Sequence, residues 1–253
     1  MSSLKVTDLC KTYIINKMQN NVLRNVSFEI NEGEMVAIMG PSGSGKSTLL
    51  YVVSGMDNLT AGKVDYFGRE ISTLTPNEIS DLRLDEMGFI FQQMHMLKNL
   101  SIYDNIILSA YQSKKGKNRK EINERGRELM HKLGISEIAE NDTNEVSGGE
   151  LQRACICRSL INSPKMIFAD EPTGALNQKN SREVMKELNR INQDGTTIML
   201  VTHDMKVAAK CDKIMYIEDG AIKGEIDLGK FIEENDFKNR ERKVNNWLME
   251  MGW

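Results

Sequence analysis

A glycine-rich segment near the start of the chain has the residue types of a phosphate-binding site. The pattern G-x-x-x-x-G-K-[ST] is matched by Gly40-Pro41-Ser42-Gly43-Ser44-Gly45-Lys46-Ser47, and a helix is expected from Thr48. Glycines let consecutive backbone N–H groups turn inward around phosphate oxygens, and the helix offers its positive end. Lys46 adds a point charge, and the Ser47 hydroxyl is expected to bind Mg²⁺. The segment therefore predicts a site for the phosphates of a nucleotide.

Two adjacent carboxylates, Asp170 and Glu171, follow the apolar run that begins at Met166. Ligands of open α/β sheets bind at the carboxyl ends of the strands. Two neighbouring carboxylates are costly to keep ionised without a cation, so a metal close to them is the simplest explanation. We expect Asp170 to hold Mg²⁺, directly or through a water molecule, and Glu171 to polarise water as a general base. An acidic pair of purely structural role is the alternative.

A second helix start with anion-binding character lies at Ser147-Gly148-Gly149, in front of the helical spacing of 150–161. Exposed N–H groups at a helix N-terminus attract an anion. Ordinary N-capping by Ser147 explains the serine equally well. Taken alone, the segment leaves both readings open.

The elements that must position these groups can be read from the apolar pattern. Buried strands are expected at Met35–Met39, Lys165–Ala169 and Thr197–Val201, because nearly every position in them is apolar. Another strand is expected at Gly88–Phe91. Strand-like alternation marks the first 35 residues, whereas helical spacing replaces it between about 94 and 161. The pattern predicts an α/β protein with a parallel core and a helical subdomain inserted into it.

The composition excludes several classes of protein. The chain has 253 residues, of which 40% are hydrophobic and 27% charged, so it is expected to be globular rather than disordered. A net charge of −3 supplies no overall positive field, which disfavours a nucleic-acid partner. No apolar run approaches the ~20 residues that span a bilayer, and no signal peptide is recognisable, so we expect a cytoplasmic location. Four scattered cysteines and three histidines offer no zinc-binding spacing.

A basic run, Lys114-Lys115-Gly116-Lys117-Asn118-Arg119-Lys120, lies between two of the expected helices. A solvated connection is the ordinary reading of such a run. Contact with lipid headgroups is the alternative, because clustered lysines near a membrane attract anionic lipids.

Together these motifs resemble the nucleotide-binding subunit of ABC transporters, and the resemblance covers about residues 4–225. It implies a P-loop ATPase core with a mostly parallel sheet, an N-terminal antiparallel β subdomain and a helical insert, in a domain of residues 1–227. The cofactors implied are ATP and Mg²⁺. In this family the turn at Ser147-Gly148-Gly149 looks like the signature motif, which contacts the γ-phosphate of ATP bound to the opposite subunit. A homodimer or pseudo-dimer with ATP sandwiched at its interface is therefore implied.

The resemblance also implies roles for three single residues. Gln92 corresponds to the glutamine that senses Mg²⁺ and the attacking water and links the site to the membrane subunit. His203 corresponds to the switch histidine at the γ-phosphate, and Tyr13 to the aromatic residue that stacks on adenine. A histidine at a strand end and an aromatic residue in a strand are the ordinary alternatives.

Two positions depart from the family pattern. Glu150 stands where most members have glutamine, which places an anion close to a phosphate site and is expected to weaken that site slightly. Asn177 stands where the family usually has aspartate. Asparagine both donates and accepts hydrogen bonds but carries no charge. The missing charge is expected to affect communication between the two ATP sites of the implied dimer, each of which is formed by both subunits.

The implied function is an ATPase subunit that drives a separate integral membrane permease from the inner face of the cell membrane. The segment Phe-Ala-Asp-Glu-Pro-Thr-Gly-Ala-Leu is similar to the branch that serves lipoprotein release, macrolide export and antimicrobial-peptide resistance. An amphiphile such as an antimicrobial peptide or a lipoprotein is the expected cargo. The alternative is a mechanical regulator whose membrane partner signals or activates a cell-wall enzyme. Soluble ABC ATPases of DNA and ribosomes are disfavoured, since neither a long heptad repeat nor a second phosphate loop is present.

Two further segments allow two readings each. In the C-terminal extension, 228–253, an apolar helical stripe is formed by Val244, Trp247, Leu248 and Met251. It is expected to pack on the ATPase body or else on a partner chain. Met94 and Met96 are expected either to line the groove that holds the coupling helix of the permease or to fill the joint between the subdomains.

Overall fold

Two β-sheets and a set of helices make up the protein in a computed structural model that describes residues 2–113, 118–232 and 236–253. Residues 114–117 of the basic run lie outside the described residues, so neither reading of that run is tested. The strands are β1 (Ser2–Ile15), β2 (Met18–Asn31), β3 (Met35–Met39), β4 (Ala61–Tyr66), β5 (Arg69–Glu70), β6 (Met87–Ile90), β7 (Met166–Asp170), β8 (Thr197–Val201), β9 (Lys213–Glu218) and β10 (Ala221–Asp227). The helices are α1 (Lys46–Val53), α2 (Pro76–Glu86), α3 (Ile102–Gln112), α4 (Arg119–Lys132), α5 (Gly148–Leu160), α6 (Gln178–Gln193), α7 (Met205–Ala208) and α8 (Phe237–Glu250).

The two sheets differ in strand direction. The first is antiparallel with the order β2-β1-β4-β5, and the second has the order β10-β9-β3-β8-β7-β6. All neighbours in the second sheet are parallel except β9 and β10. Every residue of β3, β7 and β8 is buried, as expected for parallel strands covered on both faces. The predicted fold class, with its antiparallel N-terminal part and mostly parallel core, is confirmed.

A helical region lies between β6 and β7. Helices α3, α4 and α5 pack on one another through buried aliphatic side chains, among them Ile106, Ile107, Leu129 and Met130. Each helix begins at a side-chain cap, provided by Ser101, Asn118 and Ser147. In the described part of the chain from 91 to 165 there is no strand, in agreement with the predicted helical insert.

Three element boundaries differ from the predicted ones by one or two residues. Helix α1 begins at Lys46 rather than Thr48, because Gly45 adopts a left-handed conformation (φ 100°) and serves as the N-cap. Helix α5 begins at Gly148 rather than Glu150, since Ser147 caps it. Strand β6 covers Met87–Ile90, not 88–91, because α2 runs directly into it. In the first two cases the glycines belong to the helix start itself.

The C-terminal helix α8 packs against the rest of the described chain. Val244 and Leu248 are fully buried in the same core as the strands of the second sheet. Trp247 and Met251 are partly buried against that core, and the ring of Trp247 meets Tyr216 edge-on at 6.4 Å. Burial of each aliphatic side chain contributes about 1.5–3 kcal/mol. Of the two readings of this stripe, the structure shows packing on its own chain.

Candidate active site

Three parallel strands carry the predicted chemical groups to one edge of the second sheet. In the sheet register Ile38 of β3 lies opposite Val201 of β8, and Asp170 of β7 lies opposite the same valine. The glycine-rich loop, the acidic pair and His203 all come directly after these positions. The register therefore gathers residues that are far apart in the sequence.

The loop from Gly40 to Ser47 is held tightly against the sheet. A Cβ atom on Gly40 would lie only 2.0 Å from the carbonyl oxygen of Ile217, so no other residue fits there. The Ser44 side chain is buried, and its Oγ has no hydrogen-bond partner among the described residues. Lys46 and Ser47 occupy the first turn of α1, where backbone N–H groups lack partners within the helix. An orphaned hydroxyl beside free N–H groups fits a phosphate group.

Lys46 lies between this loop and the acidic pair. Its ammonium donates hydrogen bonds to the carbonyl oxygens of Gly40 at 2.9 Å and Pro41 at 2.8 Å. Burial lowers the pKa of Lys46, and the carboxylates of Glu171 and Asp170 act in the opposite direction. The lysine therefore lies within electrostatic reach of both carboxylates.

Asp170 is buried and accepts hydrogen bonds on both carboxylate oxygens. Ser47 Oγ donates to Oδ1 at 2.9 Å, and the hydroxyl of Tyr51 donates to Oδ2 at 2.8 Å. Burial, followed by the bond to Asp170, raises the pKa of Tyr51 to about 12. Hydroxyl and carboxylate oxygens are the donors that Mg²⁺ prefers, so Ser47 and Asp170 fit this cation.

Glu171 is in hydrogen-bond contact with His203. The distance from Glu171 Oε1 to His203 Nδ1 is 2.8 Å, and the side chains are 14% and 66% exposed, respectively. Glu171 has a left-handed backbone conformation (φ 48°), which costs on the order of 1–3 kcal/mol in a residue that is not glycine. Its N–H still donates to the carbonyl of Val201 at 3.0 Å. The strand thus ends in a turn that changes the direction of this carboxylate.

Gln92 lies against the loop that follows Glu171. A Cβ atom on Gly174 would lie 3.2 Å from Gln92 Nε2 and 3.4 Å from Glu171 Cβ, so both side chains flank the same point. Within the described ranges, no hydrogen bond joins Gln92 to Ser47 or Asp170. The structure therefore places Gln92 beside the general-base candidate Glu171.

Tyr13 lies at the phosphate-loop side of the first sheet. Its hydroxyl donates to Asp57 Oδ2 at 2.6 Å. Burial raises the pKa of Tyr13, the contact with Asp57 raises it further, and the Thr48 side chain acts in the opposite direction. The tyrosine is therefore a neighbour of the helix that the glycine-rich loop opens.

The Ser147-Gly148-Gly149 turn is organised differently. Ser147 donates from its N–H and its hydroxyl to Glu150 Oε2, at 2.8 and 2.6 Å, and so closes a capping box. These two hydrogen bonds lower the pKa of Glu150. Gly148 and Gly149 lie against Leu176 and Asn180. The predicted departure at Glu150 thus has a local structural role, and the turn contacts the loop after Glu171 rather than the phosphate loop.

The other departure, Asn177, is the N-cap of α6. Its side-chain oxygen accepts a hydrogen bond from the N–H of Asn180 at 2.9 Å. An aspartate would accept the same bond, because both residues rank equally as N-caps. The helix start is therefore preserved without the charge.

Residues of α5 that the sequence did not single out hold the site together. Gln152 is buried and donates to the carbonyl of Pro172, next to Glu171, at 2.7 Å. Arg158 donates to the carbonyls of Met94 at 2.7 Å and His95 at 2.9 Å. No local pattern predicts these bonds, since each joins a side chain to a distant backbone oxygen.

Met94 and Met96 border an open groove. Met96 packs on the core, and both Met94 and Met96 are half-buried. They also line a groove of about 590 Å³ together with Gln92, His95, Lys98, Asp142, Thr143, Asn144, Leu151 and Ala175. One side of this segment therefore packs on the core through Met96, and the other side lines the open groove.

Among α/β proteins, a glycine-rich loop after one parallel strand and an acidic end on another strand of the same sheet define the phosphate-loop ATPases. Here β8 lies between the two strands. The family model described as "ABC transporter" matches residues 23–174. The chain belongs to the ABC transporter family, whose ATP-binding domains hydrolyse ATP.

One similar protein is much longer than this chain, whereas two similar solved structures match it over their whole length. The macrolide export ATP-binding/permease protein MacB of Chlorobium luteolum is 42% identical over 220 residues, which cover 87% of this chain and 32% of MacB. The chain therefore spans about a third of that relative. Two structures of the ATP-binding cassette MJ0796, both dimeric and one with ADP and Pi, match with a TM-score of 0.83 and 36% identity. They cover 90% of this chain and all of theirs. In the described ranges, no helix is long and apolar enough to cross a membrane.

Proposed function

We propose that Glu171 and His203 form the hydrolytic centre of this ATPase. The observation that carries the proposal is their 2.8 Å contact beside Lys46 and Asp170. A half-buried carboxylate at this position accepts the proton of the attacking water. His203 engages Glu171 through Nδ1, which leaves Nε2 to contact the γ-phosphate.

The other site residues bind and orient the nucleotide in this proposal. The loop 40–48 surrounds the phosphates, and the ring of Tyr13 stacks on the adenine. Ser47, Asp170 and Gln92 hold Mg²⁺, which neutralises phosphate charge when bound.

The second half of each site comes from another copy of the chain in this proposal. Ser147 and Gly148 are exposed, and Gly148 lies against Leu176, so both are available to a γ-phosphate held by a second copy. The dimeric structures of MJ0796 support a dimer of this kind.

A membrane permease is the partner we propose, with the protein on the inner face of the membrane and an exported amphiphile as cargo. An antimicrobial peptide or a lipoprotein fits this description. Support comes from the name of MacB, which joins an ATP-binding part to a permease, and from the groove beside Met94 and Met96. Unbranched thioether side chains adapt to a short apolar helix.

The nucleotide site is tested by Lys46→Ala. We expect a strong loss of ATP affinity in calorimetric titration, because the triphosphate loses its main side-chain cation. The matched control is Lys223→Ala, an exposed lysine on β10, which should bind ATP normally. Unchanged binding by Lys46→Ala would remove the glycine-rich loop from the site.

The permease contact is tested by the double variant Met94→Glu with Met96→Glu. Basal ATPase activity should persist while co-purification with a membrane protein is lost. Met249→Glu, at a methionine 67% exposed on α8, is the control and should co-purify normally. Loss of stability by several kcal/mol, as expected for charges forced into a core, would show that the methionines are packing residues and would contradict the groove assignment.

A further inference from the structure

Strand β1 contains a buried lysine, Lys11, whose contacts bear on how the nucleotide base is oriented. Lys11 is only 7% exposed although it lies in an otherwise half-open sheet. The pairing of β1 with β2 shifts register on both sides of Lys11. Such bulges redirect a side chain from its usual face, and a buried ammonium needs polar partners.

The partners of Lys11 lie in the turn after α1. Its Nζ donates to Asp57 Oδ1 at 2.7 Å and to the carbonyl of Asn58 at 2.6 Å. The second oxygen of the same carboxylate accepts from the hydroxyl of Tyr13 at 2.6 Å. Burial would raise the pKa of Asp57, but the bonds from Lys11 and Tyr13 outweigh it and hold the pKa below its usual value. One ionised carboxylate therefore ties the lysine to the tyrosine.

The same lysine also determines which face of the tyrosine ring can receive a ligand. Its Nζ lies 4.6 Å from the centroid of the Tyr13 ring, well within the range of a cation–π contact. Because the ammonium covers one face, a base can stack only on the other. The hydroxyl bond to Asp57 restrains the tilt of the ring.

The network is anchored to the phosphate-loop helix. The backbone N–H groups of Met56 and Asp57 donate to the carbonyl of Tyr51 at 2.8 and 3.1 Å. The hydroxyl of Tyr51 in turn binds Asp170. The ring of Tyr13 therefore has a defined position relative to the groups that hold the phosphates.

We propose that Lys11 and Asp57 are positioning residues for nucleotide recognition, which hold the Tyr13 ring so that one chosen face stacks on the base. This inference rests on the proposed stacking role of Tyr13. It assigns to Lys11 and Asp57 a function that acts through the Tyr13 ring. A plain structural ion pair would stabilise the fold without favouring a base.

The experiment compares ATP with inorganic tripolyphosphate, which has the phosphates and lacks the base. In calorimetric titrations, Lys11→Met and Asp57→Asn should each weaken ATP binding by roughly three- to tenfold. This loss is a fraction of the binding free energy that stacking of a base on an aromatic ring contributes. Tripolyphosphate binding should not change. Lys11→Arg keeps the charge and should retain ATP affinity, and Lys5→Met, an exposed lysine on the same strand, is the matched control.

A Tyr13→Ala variant separates the two possible failures. It should weaken ATP binding, and adding Lys11→Met to it should have no further effect, because the lysine acts through the ring. If Tyr13→Ala binds ATP normally, the stacking assignment is wrong and this inference falls with it. If Tyr13→Ala weakens binding but Lys11→Met and Asp57→Asn do not, only the positioning role is overturned. Equal losses for ATP and tripolyphosphate in Lys11→Met would also overturn it.

Discussion

Two glycine-containing helix starts in this protein have similar local sequences and different surroundings. At the start of α1 the N-cap is Gly45, which has no side chain, and Lys46 and the carboxylates of Asp170 and Glu171 lie nearby. At the start of α5 the N-cap is Ser147. The carboxylate of Glu150 accepts hydrogen bonds from the hydroxyl and the N–H of Ser147. The first start is open to an anion and lies near the acidic pair, whereas the second is partly satisfied by the carboxylate of Glu150.

The difference bears on the proposal that the active site is divided between two chains. A helix N-terminus attracts anions wherever it lies, but of these two starts only the first lies near Asp170 and Glu171. Ser147 and Gly148 are exposed and face no catalytic group of their own chain among the described residues. In the function proposed above, an isolated chain would therefore carry one half of a site and the complement of another.

The largest effect is expected from Glu171→Gln on the α1 side. Hydrolysis should fall by at least the ~10²-fold that a general base supplies, because the amide cannot accept the proton of water. ATP binding should persist, and ATP should trap a dimer visible in size-exclusion chromatography. Glu29→Gln, at an exposed site on β2, is the control and should turn over normally. Near-normal turnover by Glu171→Gln would assign the base to another residue.

A smaller effect is expected from Glu150→Gln on the α5 side. Glutamine keeps an acceptor for the N–H of Ser147 but removes the negative charge that competes with phosphate. The ATP-dependent dimer should tighten by roughly two- to fivefold, in line with charge effects at helix N-termini. Sedimentation in a Glu171→Gln background would measure this, and the gain should shrink at high salt. A looser dimer would mean that the Glu150 carboxylate assists phosphate binding.

The smallest effect concerns Tyr51, the hydrogen-bond partner of Asp170. Its folded-state pKa of about 12 lies above the ordinary value of 10.0. The contribution of this group to stability is therefore complete below pH 10 and declines as the pH rises towards 12. Urea unfolding of the wild type should show a steeper loss over this window than unfolding of Tyr51→Phe. If stability falls with pH at the same rate in the wild type and in Tyr51→Phe, the pKa of Tyr51 is not raised in the folded protein.

Much of the fold follows from local pattern, because β3, β7 and β8 are apolar at nearly every position. The phosphate loop and the acidic pair follow from short motifs next to those strands. The capping box was also readable, since Ser147 and Glu150 are three residues apart, although the sequence indicated a weakened phosphate site there. What local pattern cannot predict is a bond from a side chain to a distant backbone oxygen, as made by Gln152 and Arg158.

The same limit applies to Lys11 and Tyr51. Nothing in an alternating strand marks Lys11 as buried, because the register shift that turns it inward depends on pairing with β2. Tyr51 lies one helical turn after Ser47, so a shared face was predictable. That this face meets Asp170 depends on how α1 packs on the sheet.

The most direct test of the divided site mixes two inactive variants. Lys46→Ala should fail to bind ATP, and Ser147→Arg should bind ATP as a monomer and fail to hydrolyse it. A heterodimer of the two has one site with both halves intact, so mixing should restore part of the ATPase activity. If tagged heterodimers form and remain inactive, or if Ser147→Arg cannot bind ATP as a monomer, the assignment of Ser147 to a second copy's ATP is contradicted.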